Sequence, residues 1–151
     1  MIDGIILVDK PAGISSFGVV AKVRGYLRTK CSHKVKVGHT GTLDPFATGL
    51  LILLSGKMTK KSEEFLKLDK EYVATLKLGF ASSTGDPEGE IVEVSSRTPG
   101  QEEIEIVLGE FIGEIEQTPP KYSAIKINGQ RAYKLARKGI DFEIPTRKVK
   151  I

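Results

Sequence analysis

Cysteine is almost missing from this 151-residue chain. Cys31 stands alone, which excludes an internal disulfide framework and fits a reducing compartment. Histidine is scarce as well, at two, and with a single thiol that is too few for a convincing metal site, so no metal is expected. No apolar run approaches membrane-spanning length, so no membrane association is expected. The first residues, Met1-Ile-Asp-Gly, lack the basic and apolar regions of a secretory leader, and a cytoplasmic location is expected. Internal repeats and low-complexity tracts are absent. So is the Gly-x-x-x-x-Gly-Lys-Ser/Thr run of a phosphate-binding P-loop.

What remains is a chain long enough for one domain with a real core. Its formal net charge of +4 suits a polyanionic partner, although many solvated surfaces look similar. The stretch from Val37 to Leu50 organises the rest. It is polar and glycine-punctuated, entered from the β-like run Val35–Val37 and left through the apolar run Leu50–Leu54. A polar loop between two buried strands is how a fold presents a reactive group. Asp44 sits at its centre, and Pro45 pushes it out of the α region into a defined position. On pattern alone the same stretch reads more readily as a structural turn.

Around that loop, Gly4–Val8 reads as a buried strand, Asp9–Gly13 as a turn, and Ser15 or Ser16 as the cap of a helix from about Phe17 to Arg28. Val19, Val20, Val23 and Leu27 form its apolar face. Arg28–Lys34 is a basic connector, either solvated or in contact with RNA. Thr59 is placed to cap a short helix through about Lys67. Lys70–Gly79 alternates cleanly, with Tyr72, Ala74, Leu76 and Leu78 on one face, and is expected to form a strand. Across the polar turn Ser82–Gly89 it should pair antiparallel with a strand over Glu90–Val94. Asp86 and Glu88 are read as residues of that turn, not as a carboxylate pair. A helix from Glu102 to about Ile112 carries the apolar stripe Ile104, Val107, Leu108 and Phe111. Elements mixed in this way, with frequent hairpins, predict an α+β fold: a mixed, largely antiparallel sheet flanked by helices.

From Gln117 to Gly139 the composition turns basic, with Lys121, Lys126, Arg131, Lys134, Arg137 and Lys138 and no acidic residue. Ala124–Ile127 should be a short strand, Asn128-Gly129 a tight turn, and Arg131–Lys138 a helix closed by Gly139. Tyr122 and Tyr133 are interleaved with the cations, which suits phosphate contact and base stacking as well as it suits a solvated helix face.

Gly38-His-Thr-Gly-Thr-Leu-Asp-Pro-Phe-Ala-Thr-Gly49, followed by Gly56-Lys-Met-Thr-Lys60, resembles the catalytic-aspartate motif of the TruB family of tRNA pseudouridine synthases. Lys10-Pro-x-Gly13 with Ser15-Ser16 resembles the family's first motif, and Pro119-Pro-x-Tyr-Ser-Ala-x-Lys126 and Gly129-x-x-Ala-Tyr-x-x-Ala-Arg-x-Gly139 also match. The resemblance runs in register from Ile2 to the last residue. It implies isomerisation of uridine to pseudouridine in RNA, at the T-loop uridine of tRNA position 55, with no cofactor, because the uracil is both leaving group and nucleophile. It makes tRNA the expected partner and the enzyme an expected monomer.

The resemblance implies Asp44 as the catalytic carboxylate and Tyr72 as the residue stacked on the flipped base, where the residues alone would leave Tyr72 a core aromatic. It implies His39 beside the flipped-out nucleotides, with the loop residues Gly41, Thr42 and Leu43 lining the substrate. Lys60 is expected near the active loop, on a phosphate or in an ion pair. Lys10 belongs to a packing unit beneath that loop and is also within the reach expected for a phosphate. Residues 117–146 correspond to an RNA-gripping thumb, with Lys126, Arg131, Tyr133, Lys134 and Arg137 as contacts. The family's third motif, which carries an arginine paired with the aspartate, has no match here, nor does its small RNA-binding tail domain. Residues 1–151 are therefore read as part of a catalytic domain whose C-terminal half lies outside this sequence. Alone they are expected to turn over tRNA poorly, since Asp44 lacks the cation that would hold it ionised and oriented. A non-catalytic RNA-binding or RNA-folding module is the competing reading. A relative guided to rRNA by a second RNA fits less well, because the extension expected before the first strand is missing.

Overall fold

The computed structural model describes residues 2–123 and 125–151. The chain divides into two compact units, Met1–Val73 and Ala74–Ile151.

In the first unit, β1 (Gly4–Lys10), β2 (Val37–His39) and β3 (Gly49–Ser55) make one antiparallel sheet in the order β1-β3-β2. Strand β3, all apolar from Leu50 to Leu54, is central because it alone must satisfy ladders on both edges. It pairs Ile6 with Leu53 and Val8 with Leu51 on one side, and His39 with Leu53 on the other. Helix α1 (Ser16–Lys30) covers one face. Its start is fixed by Ser15, whose hydroxyl accepts from the N–H of Gly18 at 3.0 Å. Val19, Val20 and Leu27 from the helix meet Val35, Val37, Leu51 and Leu53, with Ile6, Val8, Ile14, Val23 and Leu43 around them. This is the principal core. The opposite face leaves Ile5, Leu7 and Leu50 exposed.

Beyond β3 the expected helix from Thr59 begins differently. A 3-10 turn spans Gly56–Lys61 and a single α turn, α2, spans Ser62–Leu66. Thr59 does not cap it; its hydroxyl donates back to the carbonyl of Gly56 at 2.8 Å, a bond that favours the tighter turn. The strand expected over Lys70–Gly79 is not formed. Among the described residues this stretch has no ladder partner, and Tyr72, Val73, Leu76 and Leu78 are exposed. Alternation supplied two faces, but a strand also needs a neighbour for its backbone groups.

In the second unit the expected hairpin exists, shortened and shifted, as β4 (Phe80–Ser82) paired with β5 (Ile91–Glu93). Asp86 is a turn residue as read: its carboxylate accepts from the Thr84 hydroxyl at 2.6 Å and the Glu88 N–H at 3.0 Å. Helix α3 (Gln101–Gly109) starts one residue earlier and ends about three residues sooner than expected, and Glu103 accepts from the N–H of Gly100 at 3.0 Å where the helix starts. Its stripe residues Val107 and Leu108, and Phe111 beyond it, are exposed. Strand β6 (Glu114–Gln117) pairs antiparallel with the last strand, β9 (Arg147–Lys150). Between them a two-residue ladder joins β7 (Lys126–Ile127) to β8 (Gln130–Arg131). Asn128 and Gly129 turn it with φ of 48° and 83°. Helix α4 (Ala132–Arg137) follows, closed by Gly139 at φ 67°. The start of the expected strand, Ala124, lies outside the described residues. The architecture is α+β with antiparallel sheets throughout.

Candidate active site

The Asp44 loop is held by its neighbours on both sides of the carboxylate. Ser16, 2% exposed at the start of α1, uses one hydroxyl twice: it donates to the carbonyl of Leu43 and accepts from the N–H of Leu43, both at 2.9 Å. On the other side the carbonyl of Pro45 accepts from the N–H of Gly13 at 2.8 Å and from the Lys10 ammonium at 3.3 Å. The loop closes on itself through a turn, Ala47 N–H to Asp44 carbonyl at 3.1 Å. Its entry is fixed where Thr40 donates its N–H and hydroxyl to the carbonyl of Ile52, at 3.0 and 3.3 Å. Asp44 itself is exposed, and among the described residues no hydrogen bond or ion pair occupies its carboxylate. The backbone is pinned on each side while the carboxylate is left exposed.

Lys10 corrects the expectation placed on it. It is fully buried, and its ammonium also donates to the carbonyls of Pro11 at 3.0 Å and Ile14 at 2.9 Å. Three carbonyls match the three donors of an ammonium, so the group ties the turn to the loop and is not offered to a phosphate. The glycine at φ 82° after Pro11, Gly13, lets the turn aim its N–H at Pro45.

His39 ends β2 half-buried, on the same face as Leu53, and its Nδ1 is enclosed without a hydrogen-bond partner among the described residues. Gly41 and Leu43 are half-buried and Thr42 is exposed beside Asp44. Gly56 is required where it stands: at φ 59° a Cβ would lie 1.9 Å from the Asp3 carboxylate. That carboxylate accepts from the N–H of Lys57 at 2.8 Å, and the 3-10 turn then sets Lys60 in solvent. Tyr72 is 69% exposed in irregular chain. The structure brings Ser16, Leu43, Asp44 and Pro45 together; among the described residues it joins Tyr72 to them by no hydrogen bond.

In the second unit Lys126, Arg131, Lys134 and Arg137 are exposed and Tyr133 is half-buried. The Arg137 guanidinium lies over the Tyr133 ring at 5.6 Å. Ala132 and Leu135 anchor α4 from its buried side, and the N–H of Tyr133 reaches the carbonyl of Ser123 at 3.0 Å. The acid-free reading of this segment changes in three dimensions. Lys121 is paired with Asp141 at 2.8 Å, and Lys126 shares a surface depression with Asp141 and Glu143. Lys121, through hydrogen bond and charge, with help from the Phe142 backbone, holds the Asp141 carboxyl below its ordinary range.

Residues 26–151 match the family model described as TruB family pseudouridylate synthase, N-terminal domain. The chain belongs to the TruB family. A tRNA pseudouridine synthase B of Fusobacterium nucleatum is 45% identical over 149 residues, covering 99% of this chain and 50% of that protein. The protein of the same name from Ruegeria pomeroyi is 49% identical over 146 residues, covering 97% of this chain and 46% of its own. That from Borreliella burgdorferi is 45% identical over the whole chain and covers 52% of its own. The chain thus spans about half the length of the curated relatives it matches. The TruB match includes the Asp44 loop and the segment around α4.

The role of Ser16 went unread in sequence, where it was only a candidate cap. The signal was a second serine beside the cap, on the helix face that carries Val19, Val20 and Leu27. Among the described residues no cluster of three or more His, Cys, Asp and Glu is placed to hold a metal, and no helix is long and apolar enough to cross a membrane.

Proposed function

We propose that this chain carries the catalytic aspartate of a cytoplasmic tRNA pseudouridine synthase that converts the T-loop uridine at position 55 to pseudouridine. The observation that supports it most is the exposed Asp44 carboxylate on a loop clamped at Leu43 and Pro45. A base inside a helix is out of reach, so the uridine must first leave its stack. As the glycosidic bond weakens, C1′ gains cationic character, and a fixed carboxylate stabilises or attacks that centre as in glycosidases. Removal of the C2′ proton towards a glycal would use the same group from the same place. The freed uracil turns and C5 bonds to C1′; the C5 proton is then lost to solvent and N1 takes up a proton, so atoms balance without a cofactor. Tyr72 is assigned to stack on the extruded base, and His39, Gly41, Thr42 and Leu43 to border it. Lys60 and the thumb, residues 117–146 with Lys126, Arg131, Tyr133, Lys134 and Arg137, are assigned to the RNA.

The test is Asp44→Asn in the complete reading frame, assayed by tritium release from C5-labelled tRNA and by tRNA binding. Turnover should fall by about 10⁴-fold or more with binding retained. Normal turnover would refute the reading; the RNA-folding alternative requires instead that biological activity survive Asp44→Asn and be lost on charge removal at Arg131, Lys134 and Arg137.

A further inference from the structure

A second basic surface lies in the first unit, outside the Asp44 loop and outside the thumb. From Lys10 to Leu43 the sequence holds seven lysines and arginines and neither aspartate nor glutamate. Lys10 is buried; Lys22, Arg24, Arg28, Lys30, Lys34 and Lys36 are all exposed. Among the described residues none of these six is paired with a carboxylate. Three of them, Arg24 from α1 and Lys34 and Lys36 from the connector before β2, line one surface depression together with Val35.

The depression has a fixed wall. The Arg24 guanidinium donates through Nε, at 3.2 Å, and through one Nη to the carbonyl of Val37, which sets its plane. It lies 5.5 Å from the exposed ring of Phe17, two turns earlier on the same helix. The guanidinium keeps N–H donors that the Val37 carbonyl does not use. Arg28 follows one turn beyond it. Val35 points inward, buried, so its neighbours Lys34 and Lys36 are both sent outward by the alternation of extended chain.

We infer that this depression is a phosphate-backbone site for RNA, which holds a helical part of the substrate while the Asp44 loop takes the flipped nucleotide. The inference rests on the proposed RNA-modifying function. Cations from two elements around one depression suit the closely spaced phosphates of a folded RNA, and a fixed arginine suits a phosphate oxygen better than a mobile lysine does. Such contacts position the RNA and carry no sequence preference. The thumb differs, because Lys121 and Lys126 share their surroundings with carboxylates.

The test is Lys34→Gln with Lys36→Gln, two exposed side chains whose ammonium groups make no hydrogen bond among the described residues, and so no expected loss of fold. Thermal unfolding checks that. Binding of a fluorescein-labelled T-arm stem-loop and of whole tRNA is measured against KCl concentration, for wild type and variant. The variant should bind about tenfold more weakly near physiological salt. The slope of log affinity against log salt should fall by about 2. An unchanged slope and affinity in a variant that folds, with wild-type binding intact, would overturn the inference and leave the proposed function standing. Failure of the wild-type protein to bind either RNA would instead sink the proposed function. Sedimentation with phosphatidylglycerol vesicles in preference to RNA would also overturn the inference.

Discussion

Residues 49–55 and residues 70–79 are both rich in alternating or continuous apolar side chains, yet they end differently. Strand β3 is hydrogen-bonded on both edges and covered on one face by α1, and Leu51, Leu53 and Leu54 are all but inaccessible. The later stretch has no ladder, and Val73 is 97% exposed. Apolar pattern is therefore necessary for a strand and does not suffice. What separates the two is whether residues 4–39 provide partners, which for β3 they do through β1 and β2. The Asp44 loop inherits its definition from that contrast, since its ends are tied to β2 and β3.

The widest gap this comparison forecasts is in stability. Leu53→Ala should destabilise the chain by about 3 kcal/mol, within the range for a large-to-small change in a packed core. Leu76→Ala should change it by less than about 0.5 kcal/mol, since a side chain already in water loses little burial. Urea unfolding of the 151-residue chain measures both. Comparable losses would mean that residues 70–79 are covered in solution.

Much of this was legible beforehand, and the exceptions have identifiable causes. The strand Gly4–Val8, a cap at Ser15 or Ser16, the apolar face of α1 and the strand Leu50–Leu54 all rest on local signals, while the run read at Val35–Val37 forms two residues later as β2. The strand Glu114–Gln117 gave no such signal, because Glu-Ile-Glu-Gln has one apolar residue. It is specified by its partner: Glu114 faces Lys150, Glu116 faces Lys148, and Gln117 accepts from Arg147 at 2.8 and 3.1 Å. Lys10 defied expectation because a lysine is almost never fully buried. Only its three carbonyl partners, one of them 35 residues away, reveal why it is. Of the candidate site, the placement of Asp44 on a rigid loop was readable; the partner of Ser16 was not, since a serine on the apolar helix face does not say which carbonyl 27 residues away it meets.

That clamp gives the next prediction. Ser16→Ala removes both bonds to Leu43 and leaves the carbonyl and N–H of this half-buried residue to find other partners, at a cost of about 1 kcal/mol. In the complete reading frame its effect on turnover should appear in kcat, with KM for tRNA little changed, because the loop holding Asp44 loosens while the RNA-binding surfaces stay intact. Single-turnover and steady-state kinetics separate the two. A change confined to KM would show that the serine acts on binding and that the loop keeps its position without it.

The smallest effect concerns the contrast between the two basic surfaces. Asp141 has its carboxyl pKa lowered by Lys121, so the folded state favours the ionised form more than the unfolded chain does. The stabilisation is then present above the ordinary carboxylate range, near pH 4, and is lost as pH falls through the lower folded value. Both side chains are more than half exposed, so solvent screens the pair and its contribution is slight. Asp141→Asn should lower stability slightly and by a constant amount above the carboxylate range, with no difference from wild type at low pH, so that the acid side of the profile flattens a little. It should also release Lys121 and steepen the salt dependence of RNA binding, bringing the thumb closer in character to the carboxylate-free surface around Arg24. Denaturation at a series of pH values, together with RNA titrations in salt, measures both. If the profile and the salt slope match those of wild type, the ion pair seen at 2.8 Å does not persist in water, and the two surfaces differ less than their charges suggest.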